Sequence, residues 1–371
     1  MRKDIILVGV LAAIAVTACT KDSVVIENTG TKEIGFNVLT NNSTRGVPVT
    51  TTNIIDQSKA FKVYGFNNSD NTVFSDIQGT IVSYSTTETK WDYSPKKYWP
   101  EYALDFYSVY PSDVTTIKID ATDKKINDFK PASDVTSQVD LLYGLQTNQT
   151  ESPVKVYFKH ALSQIVFQGK SVYEGPDVKI NSVKLCRVLD KGSFTFPAVA
   201  TASNSTAGTW DVTGASRTDY TIPLNAATPI TLTPPANSSD VVYPTMFSHA
   251  TNGALLIVPQ DVTAWTTTPT TAVALSASGE EAHVYLDIEC SLTNPDNAGE
   301  YVLGDASTYD HAYVPISAPD NKWEPGKKYT YTLTFGYGYD QDGKPLKKQP
   351  ITFTVEAVEE WTSATEDITL P

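Results

Sequence analysis

The sequence predicts an all-β protein built from two tandem β-sandwich domains. In the most strongly patterned segments, hydrophobic residues alternate with polar ones, which is the period of a strand with one buried face. These segments are rich in Val, Ile, Thr, Tyr and Phe, and short runs of Asn, Asp, Gly and Pro separate them. No long segment with helical periodicity follows the first 19 residues, and 371 residues are enough for two cores.

The chain opens with a segment typical of a secretory signal peptide. Two basic residues precede an almost wholly apolar run from Ile5 to Ala18, which is too short to span a bilayer. Small residues at its end lead directly into Cys19, an arrangement that resembles the lipobox of bacterial lipoproteins. This resemblance implies that the leader, residues 1–18, is cut between Ala18 and Cys19 and that Cys19 is acylated, for example with palmitate. The alternative is an ordinary signal peptide cut after Ala18, which would leave Cys19 as a free thiol.

The segment after the leader, residues 19–45, is expected to carry the first strand. A polar tether over residues 20–33 comes first. Ile34, Phe36 and Val38 then alternate with small or polar residues and predict a strand with one buried face.

Further strands are predicted where the alternation is clearest, over residues 154–158, 284–288 and 351–355. Residues 91–110 contain eight aromatic side chains, and their alternation predicts that at least half point into a core; the alternative is that they are exposed and stack on sugars or a partner. Residues 124–139 are polar and are expected to hold a short helix at most.

A domain boundary is expected near residue 160, where a strand runs into an apolar segment without a turn signal. The N-terminal domain would then cover residues 46–160 and the C-terminal domain residues 161–371. The only cysteines after Cys19 are Cys186 and Cys290, which lie in strand-like runs 104 positions apart. Two separately buried thiols are favoured over a disulfide, because nothing in the spacing indicates a bridge.

Charge and motif content argue against several functions. The formal net charge of −14 disfavours binding to nucleic acid or to anionic headgroups, so membrane attachment would depend on the lipid. The four histidines have no second ligand at metal-binding spacing, and His160, at the end of a strand, is interpreted as structural. Neither a Gly-x-Ser-x-Gly elbow nor a glycine-rich phosphate loop occurs. The sequence therefore predicts no enzyme, no metal site and no cofactor.

Six segments with recurrent aromatic residues follow one another along the chain: Trp91-Asp92-Tyr93, Tyr98-Trp99-Pro100, Leu104 to Pro111, Phe158 to Gln164, Trp323 to Tyr331, and Val358-Glu359-Glu360-Trp361. In this order they are similar to segments of the fimbrillin family of the Bacteroidetes, the lipoprotein-derived subunits of type V pili. The resemblance covers nearly the whole chain after the leader. It implies that the two sandwiches are transthyretin-like.

The resemblance also implies a mechanism of assembly. Subunits of this family reach the outer membrane as lipoproteins, and an Arg-specific or trypsin-like protease then removes an N-terminal segment with its first strand. Here the cut would fall between Arg45 and Gly46, in an exposed polar linker, and the removable strand would be that of Ile34, Phe36 and Val38. A strand of the next subunit would fill the groove, which gives a head-to-tail polymer at the cell surface.

The expected function is that of a stalk, tip or accessory subunit of a type V-like fimbrium that mediates adhesion to a host or bacterial surface ligand. Its partners would be other pilus subunits and, through the lipid anchor, the outer membrane. The first alternative is a surface carbohydrate-binding lipoprotein of a glycan-uptake system, with exposed tryptophan platforms such as Trp210 or Trp265. A glycoside hydrolase, which would need two carboxylates in one cleft, is a third possibility.

Overall fold

A computed structural model describes residues 32–40, 60–202, 205–225, 229–247, 255–263, 282–336 and 352–360. These residues form strands and two short 3-10 helices, at Val135–Ser137 and Pro319–Asn321, which confirms the all-β prediction. Within these ranges, no helix is long and apolar enough to cross a membrane.

The strands of the first 160 residues are short and closely spaced. They are β1 (Phe36–Thr40), β2 (Ala60–Asn67), β3 (Val73–Ser85), β4 (Lys90–Asp92), β5 (Leu104–Tyr110), β6 (Ile117–Ile119), β7 (Lys124–Phe129), β8 (Leu142–Gln149) and β9 (Val154–His160). Seven of them form one sheet in the order β1-β9-β8-β5-β2-β3-β4. All pairs are antiparallel except β1 with β9, which is parallel.

Most of the thirteen described strands after residue 160 build a two-layer sandwich. The thirteen strands are β10 (Ser163–Ser171), β11 (Val178–Leu189), β12 (Gly192–Thr195), β13 (Thr209–Asp211), β14 (Arg217–Thr221), β15 (Ile230–Leu232), β16 (Thr245–Met246), β17 (Leu255–Ile257), β18 (Tyr285–Thr293), β19 (Tyr301–Leu303), β20 (Asp310–Pro315), β21 (Lys327–Phe335) and β22 (Thr352–Glu360). All but β12 and β13 belong to the sandwich, in which a five-stranded sheet around β10 and β21 faces a six-stranded sheet around β11 and β18. Alternate residues of both sheets meet in one core, which includes Phe167, Leu286 and the fully buried Trp323.

A four-stranded sheet, β6-β7-β12-β13, pairs strands from both sides of residue 160. Its core joins Tyr143 of β8 to Phe194 of β12 and to Leu162, which lies in the two-residue connection between β9 and β10. The limits 46–160 and 161–371 therefore remain a prediction, with one sheet and one core cluster shared across them.

Residues 124–139 differ from the expectation of a short helix at most, because they also contain β7. Within β7 only Ile126 is fully buried, opposite Phe194 of β12. With one fully buried side chain in six residues, β7 has no period that the sequence could reveal. The 3-10 helix at Val135–Ser137 follows it, and the Asp134 carboxylate caps its first turn.

The described cysteines are both free and buried, as predicted. Cys290 points into the sandwich core, whereas Cys186 lies against Tyr285 in a separate small cluster. Because these side chains pack in different clusters, they do not approach each other as a disulfide requires.

Candidate functional site at the first strand

The candidate site is the groove in the seven-stranded sheet that β1 fills. The side chains of Ile34, Phe36 and Val38 are at most 5% exposed and face the same core. Phe36 lies opposite Val154 and Val38 opposite Val156 in the parallel ladder with β9. Each of the seven strands contributes to this core, so β1 completes a packed interior rather than covering a surface.

Phe36 is the most closely surrounded of the three apolar side chains. Its ring centroid lies 5.4 Å from that of Phe106, 5.8 Å from that of Tyr93 and 6.4 Å from that of Phe61. The Phe61 and Phe106 rings are nearly perpendicular to it, a favourable edge-to-face arrangement. The three rings form what we call the aromatic pocket, defined by Phe61, Tyr93 and Phe106.

The N-terminal end of the segment is bound on its other side as well. The Ile34 amide donates to the Lys97 carbonyl at 2.8 Å, and the Trp99 amide donates to the Lys32 carbonyl at 3.0 Å. Residues 97–99 follow β4, the strand at the opposite edge of the sheet. The two edges of the sheet therefore meet through residues 32–34, and the first strand closes the sheet around its core.

One serine hydroxyl joins the first strand to both of its neighbours. Ser152 Oγ accepts from the Gly35 amide and from the Trp99 indole N–H, both at 2.9 Å, and donates to the Glu33 carbonyl at 2.5 Å. A serine hydroxyl has one proton and two lone pairs, so these three bonds use its full capacity. The Gly35 carbonyl in turn accepts from the Val154 amide at 2.8 Å.

Tyr93 adds a second hydroxyl contact to the backbone of the segment, beside that of Ser152. Its hydroxyl donates to the Ile34 carbonyl at 2.6 Å, and burial raises the pKa of the phenol, so it stays a donor at neutral pH. We call Ser152 and Tyr93 together the backbone clamp. Both hydroxyls bind main-chain atoms of residues 33–35, so neither contact depends on the side chains of the strand.

An ion pair lies at the rim of the groove. Lys96 Nζ is 2.7 Å from the Glu33 carboxylate and also binds Asp92. The bonds to Asp92 and Glu33 raise the pKa of Lys96, and the bond from Lys96 lowers the pKa of Asp92. All three side chains are partly exposed, and such pairs typically contribute only about 0–1 kcal/mol.

Loss of this strand would leave a groove that is unstable when empty. Each large apolar side chain that leaves water on folding contributes about 1.5–3 kcal/mol, and three such side chains fill this groove. Backbone groups of β9 and of residues 97–99 would lose their partners at the same time. The arrangement can therefore hold an extended segment by main-chain bonds on two sides and by side-chain pockets between them.

The other predicted site residues lie outside the described part of the chain. Ala18 and Cys19 precede it, and Arg45 and Gly46 belong to the connection between β1 and β2, from residue 41 to residue 59. Ser152 and Tyr93 were not predicted as part of the site. Only their three-dimensional proximity to residues 33–35 reveals them, since they are 117 and 59 positions away from their partners.

His160 lies in a buried polar pair. Its Nδ1 atom is 2.5 Å from Oδ2 of Asp140, and both side chains are at most 6% exposed. The pair joins the end of β9 to the segment before β8, which agrees with a structural histidine. No group of three or more potential metal-ligating side chains occurs among the described residues.

The tryptophan platforms of the carbohydrate-binding alternative were expected at Trp210 or Trp265. Trp210 is half-buried, donates its indole N–H to the Ala161 carbonyl at 2.7 Å and packs on Phe194 and Phe129. It therefore serves the four-stranded sheet rather than presenting a free ring. Trp265 lies outside the described residues.

Comparison with known protein families identifies one family. The sequence profile of a family described as fimbrillin-like matches residues 44–361. The crystal structure of a fimbrial protein from Bacteroides vulgatus ATCC 8482 superposes with a TM-score of 0.54 at 16% identity, over 89% of this chain and 100% of that one. This similarity indicates a shared fold.

Two further solved structures, both provisionally assigned to cell adhesion, are also similar. The protein from Bacteroides uniformis ATCC 8492 has a TM-score of 0.45 at 13% identity, over 89% of this chain and 99% of that one. The protein from Bacteroides ovatus ATCC 8483 has a TM-score of 0.45 at 15% identity, over 90% of this chain and 99% of that one. No curated protein matches the chain.

Proposed function

Because this chain belongs to the fimbrillin-like family, we propose that it is a fimbrial subunit that assembles by exchanging β1 for a strand of a neighbouring subunit. The observation that supports this proposal most strongly is the placement of β1. It has only five residues, yet the apolar side chains of residues 34–38 are buried in the core of the sheet, and main-chain bonds hold the segment between β9 and residues 97–99. Another strand of the same pattern can make these contacts by β-strand addition.

Proteolysis between Arg45 and Gly46 would start the exchange. It would leave β1 held only by noncovalent contacts, because the cut lies between β1 and β2. The region shared with the family begins at residue 44, next to this bond and after β1, which agrees with a first strand that the assembled subunit does not keep. A donor strand binding in the groove would then join subunits head to tail, since donor and acceptor surfaces differ.

Before cleavage, the chain would be a lipoprotein of the outer membrane. The leader would be removed between Ala18 and Cys19, and acyl chains on Cys19 would hold the subunit at the membrane until residues 19–45 are released. The partners of the mature subunit would be other fimbrial subunits, and the assembled fimbrium would bind a surface ligand.

Limited trypsin digestion of the soluble chain from Thr20 onward tests this proposal. We expect a stable core whose first residue is Gly46, followed by filaments or ladders of oligomers in electron microscopy. A variant with both Arg45→Gln and Lys59→Gln, which has no tryptic site left between β1 and β2, should keep β1 and stay monomeric under the same digestion. An intact Arg45–Gly46 bond in the wild-type chain, while other loops are cut, would contradict the proposed maturation.

A further inference from the structure

Different groups of the groove bind the backbone and the side chains of the strand that occupies it. In the bound segment, the backbone clamp and the Lys97 carbonyl contact main-chain atoms of residues 33–35 and no side chain. Any strand that enters in the same direction would satisfy these contacts. Selectivity must therefore come from the side-chain pockets.

The clamp also fixes the register of an incoming strand relative to the pockets. The residue whose carbonyl accepts from Tyr93 occupies the place of Ile34. The residue two positions later then enters the aromatic pocket, and the residue four positions later takes the place of Val38 beside β9. A shift by one residue would turn every apolar side chain away from the core.

Resting on the proposed function, we propose that the aromatic pocket is the specificity pocket of the groove. Its occupant is a strand of another subunit that runs parallel to β9 and reads aliphatic-x-aromatic-x-aliphatic. The aromatic residue is required because the pocket walls are three aromatic rings placed 5.4–6.4 Å from the ring they now hold. A smaller side chain at that position would leave a cavity between those rings.

The pattern is rare in this chain. Of its 39 Phe, Tyr and Trp residues, only Phe36, Tyr143 and Phe353 have Ile, Leu or Val two positions away on both sides. Residues 351–355, Ile-Thr-Phe-Thr-Val, supply a natural second sequence with the pattern. They have the same Ile, Phe and Val as residues 34–38 but differ at both positions in between. It serves as an independent probe of the pattern.

Peptide exchange on the cut protein tests the proposal. A protease site inserted between Arg45 and Gly46 allows the folded chain from Thr20 to be cut after purification, and mild denaturant then releases residues 20–45. A fluorescent peptide of residues 32–40 is rebound, and unlabelled peptides compete with it. The competitors are residues 32–40 unchanged, with Phe36→Ala, with Phe36→Leu or with Asn37→Ser, and residues 350–357 unchanged or with Phe353→Ala.

We expect the Phe36→Ala and Phe353→Ala peptides to compete about tenfold or more weakly than their parents, and the Phe36→Leu peptide to lie between. The Asn37→Ser peptide, changed on the opposite side of the strand, should compete like its parent. On the protein side, Tyr93→Phe should weaken all peptides by a similar factor, because it removes a backbone contact. Equal binding of the Phe36→Ala and parent peptides, or no binding of either parent to a cut protein that remains folded by circular dichroism, would overturn the proposal.

The inserted site separates this result from the proposed function. If the peptides bind as expected but natural Arg45 resists cleavage or no filaments form, the specificity pocket is supported and the assembly mechanism is contradicted. If filaments form while all peptides bind alike, the assembly mechanism is supported and the specificity pocket is contradicted.

Discussion

Ser152 shows how much of the groove depends on a single residue. Its hydroxyl makes three hydrogen bonds, two to the backbone of Glu33 and Gly35 and one to the indole of Trp99. In a Ser152→Ala variant, the Gly35 amide and the Trp99 indole N–H lose an acceptor. We expect the free energy that holds the first strand in the groove to fall by about 1–3 kcal/mol. Residues 20–45 should then dissociate faster after cleavage at Arg45.

Size-exclusion chromatography with mass spectrometry of the cut protein measures this dissociation. The matched control is Ser69→Ala, in an exposed turn after β2 where the hydroxyl bonds only to Asn67. Equal retention of the strand in Ser152→Ala and wild-type protein would show that the serine does not hold the strand.

The two thiols allow a second test at the scale of single residues. Burial raises the pKa of both Cys186 and Cys290 to about 12, so neither is a thiolate at neutral pH. In the chain from Thr20 onward, we expect no reaction with an aromatic disulfide reagent at pH 8 in the folded state and two thiols per chain in denaturant. Rapid reaction of either thiol in the folded protein would contradict the described packing.

At the scale of elements, the retention of the cut first strand should depend on pH through the rim ion pairs. The pKa of Lys96 is raised above the usual 10.5, so its contribution is complete below 10.5 and is lost as pH rises through the raised value. The lowered pKa of Asp92 comes chiefly from its bond with Lys96, and both groups stay together in the groove when the strand leaves, so this shift adds no pH dependence to dissociation. Dissociation should therefore be constant between about pH 5 and pH 10 and faster above that window.

A Lys96→Met variant is the control for this prediction. It should dissociate faster than wild type inside the window and lose the acceleration at high pH, since no charge remains to titrate at that position. A wild-type profile that changes steadily between pH 5 and pH 10 would rule out these pairs as the cause.

The elements that sequence reasoning identified are those with a complete apolar face. Ile34, Phe36 and Val38 gave β1 and its buried side, and the same alternation gave β9 and β18. β7 was missed because only one of its residues is fully buried. The partners of β1 could not be predicted, because alternation indicates which face of a strand is buried but not which distant strands or hydroxyls lie beside it.

At the scale of the whole molecule, the core around Phe194 links strands on both sides of residue 160. The fully buried Phe194 ring lies 4.5 Å from that of Tyr143 and 5.4 Å from that of Trp210. We expect the wild-type chain to unfold in one calorimetric transition, because the two parts share this core.

A Phe194→Ala variant should lower the free energy of unfolding by about 3–5 kcal/mol and separate the transition into two. Phe129→Ala, at the half-buried margin of the same cluster, is the milder control. Two separate transitions in the wild-type protein would mean that the shared sheet does not couple the parts.

The family was predictable from the order of segments such as Trp91 to Tyr93 and Trp323 to Tyr331, because many of these aromatic residues are core positions that the fold requires. The groove's polar clamp was not, because hydroxyl-to-backbone contacts leave no repeating pattern in a sequence. Only the fold shows that the segment of β1 contacts both β9 and the residues that follow β4, and so links the two edges of the sheet.

The most direct test of the account is the N-terminal residue of the subunit in purified surface filaments. Peptide mapping of those filaments should find Gly46 as the first residue and no peptide that contains Phe36, since another strand would occupy the groove. Filaments in which every subunit still carries residues 32–40 would contradict the replacement of β1 during assembly.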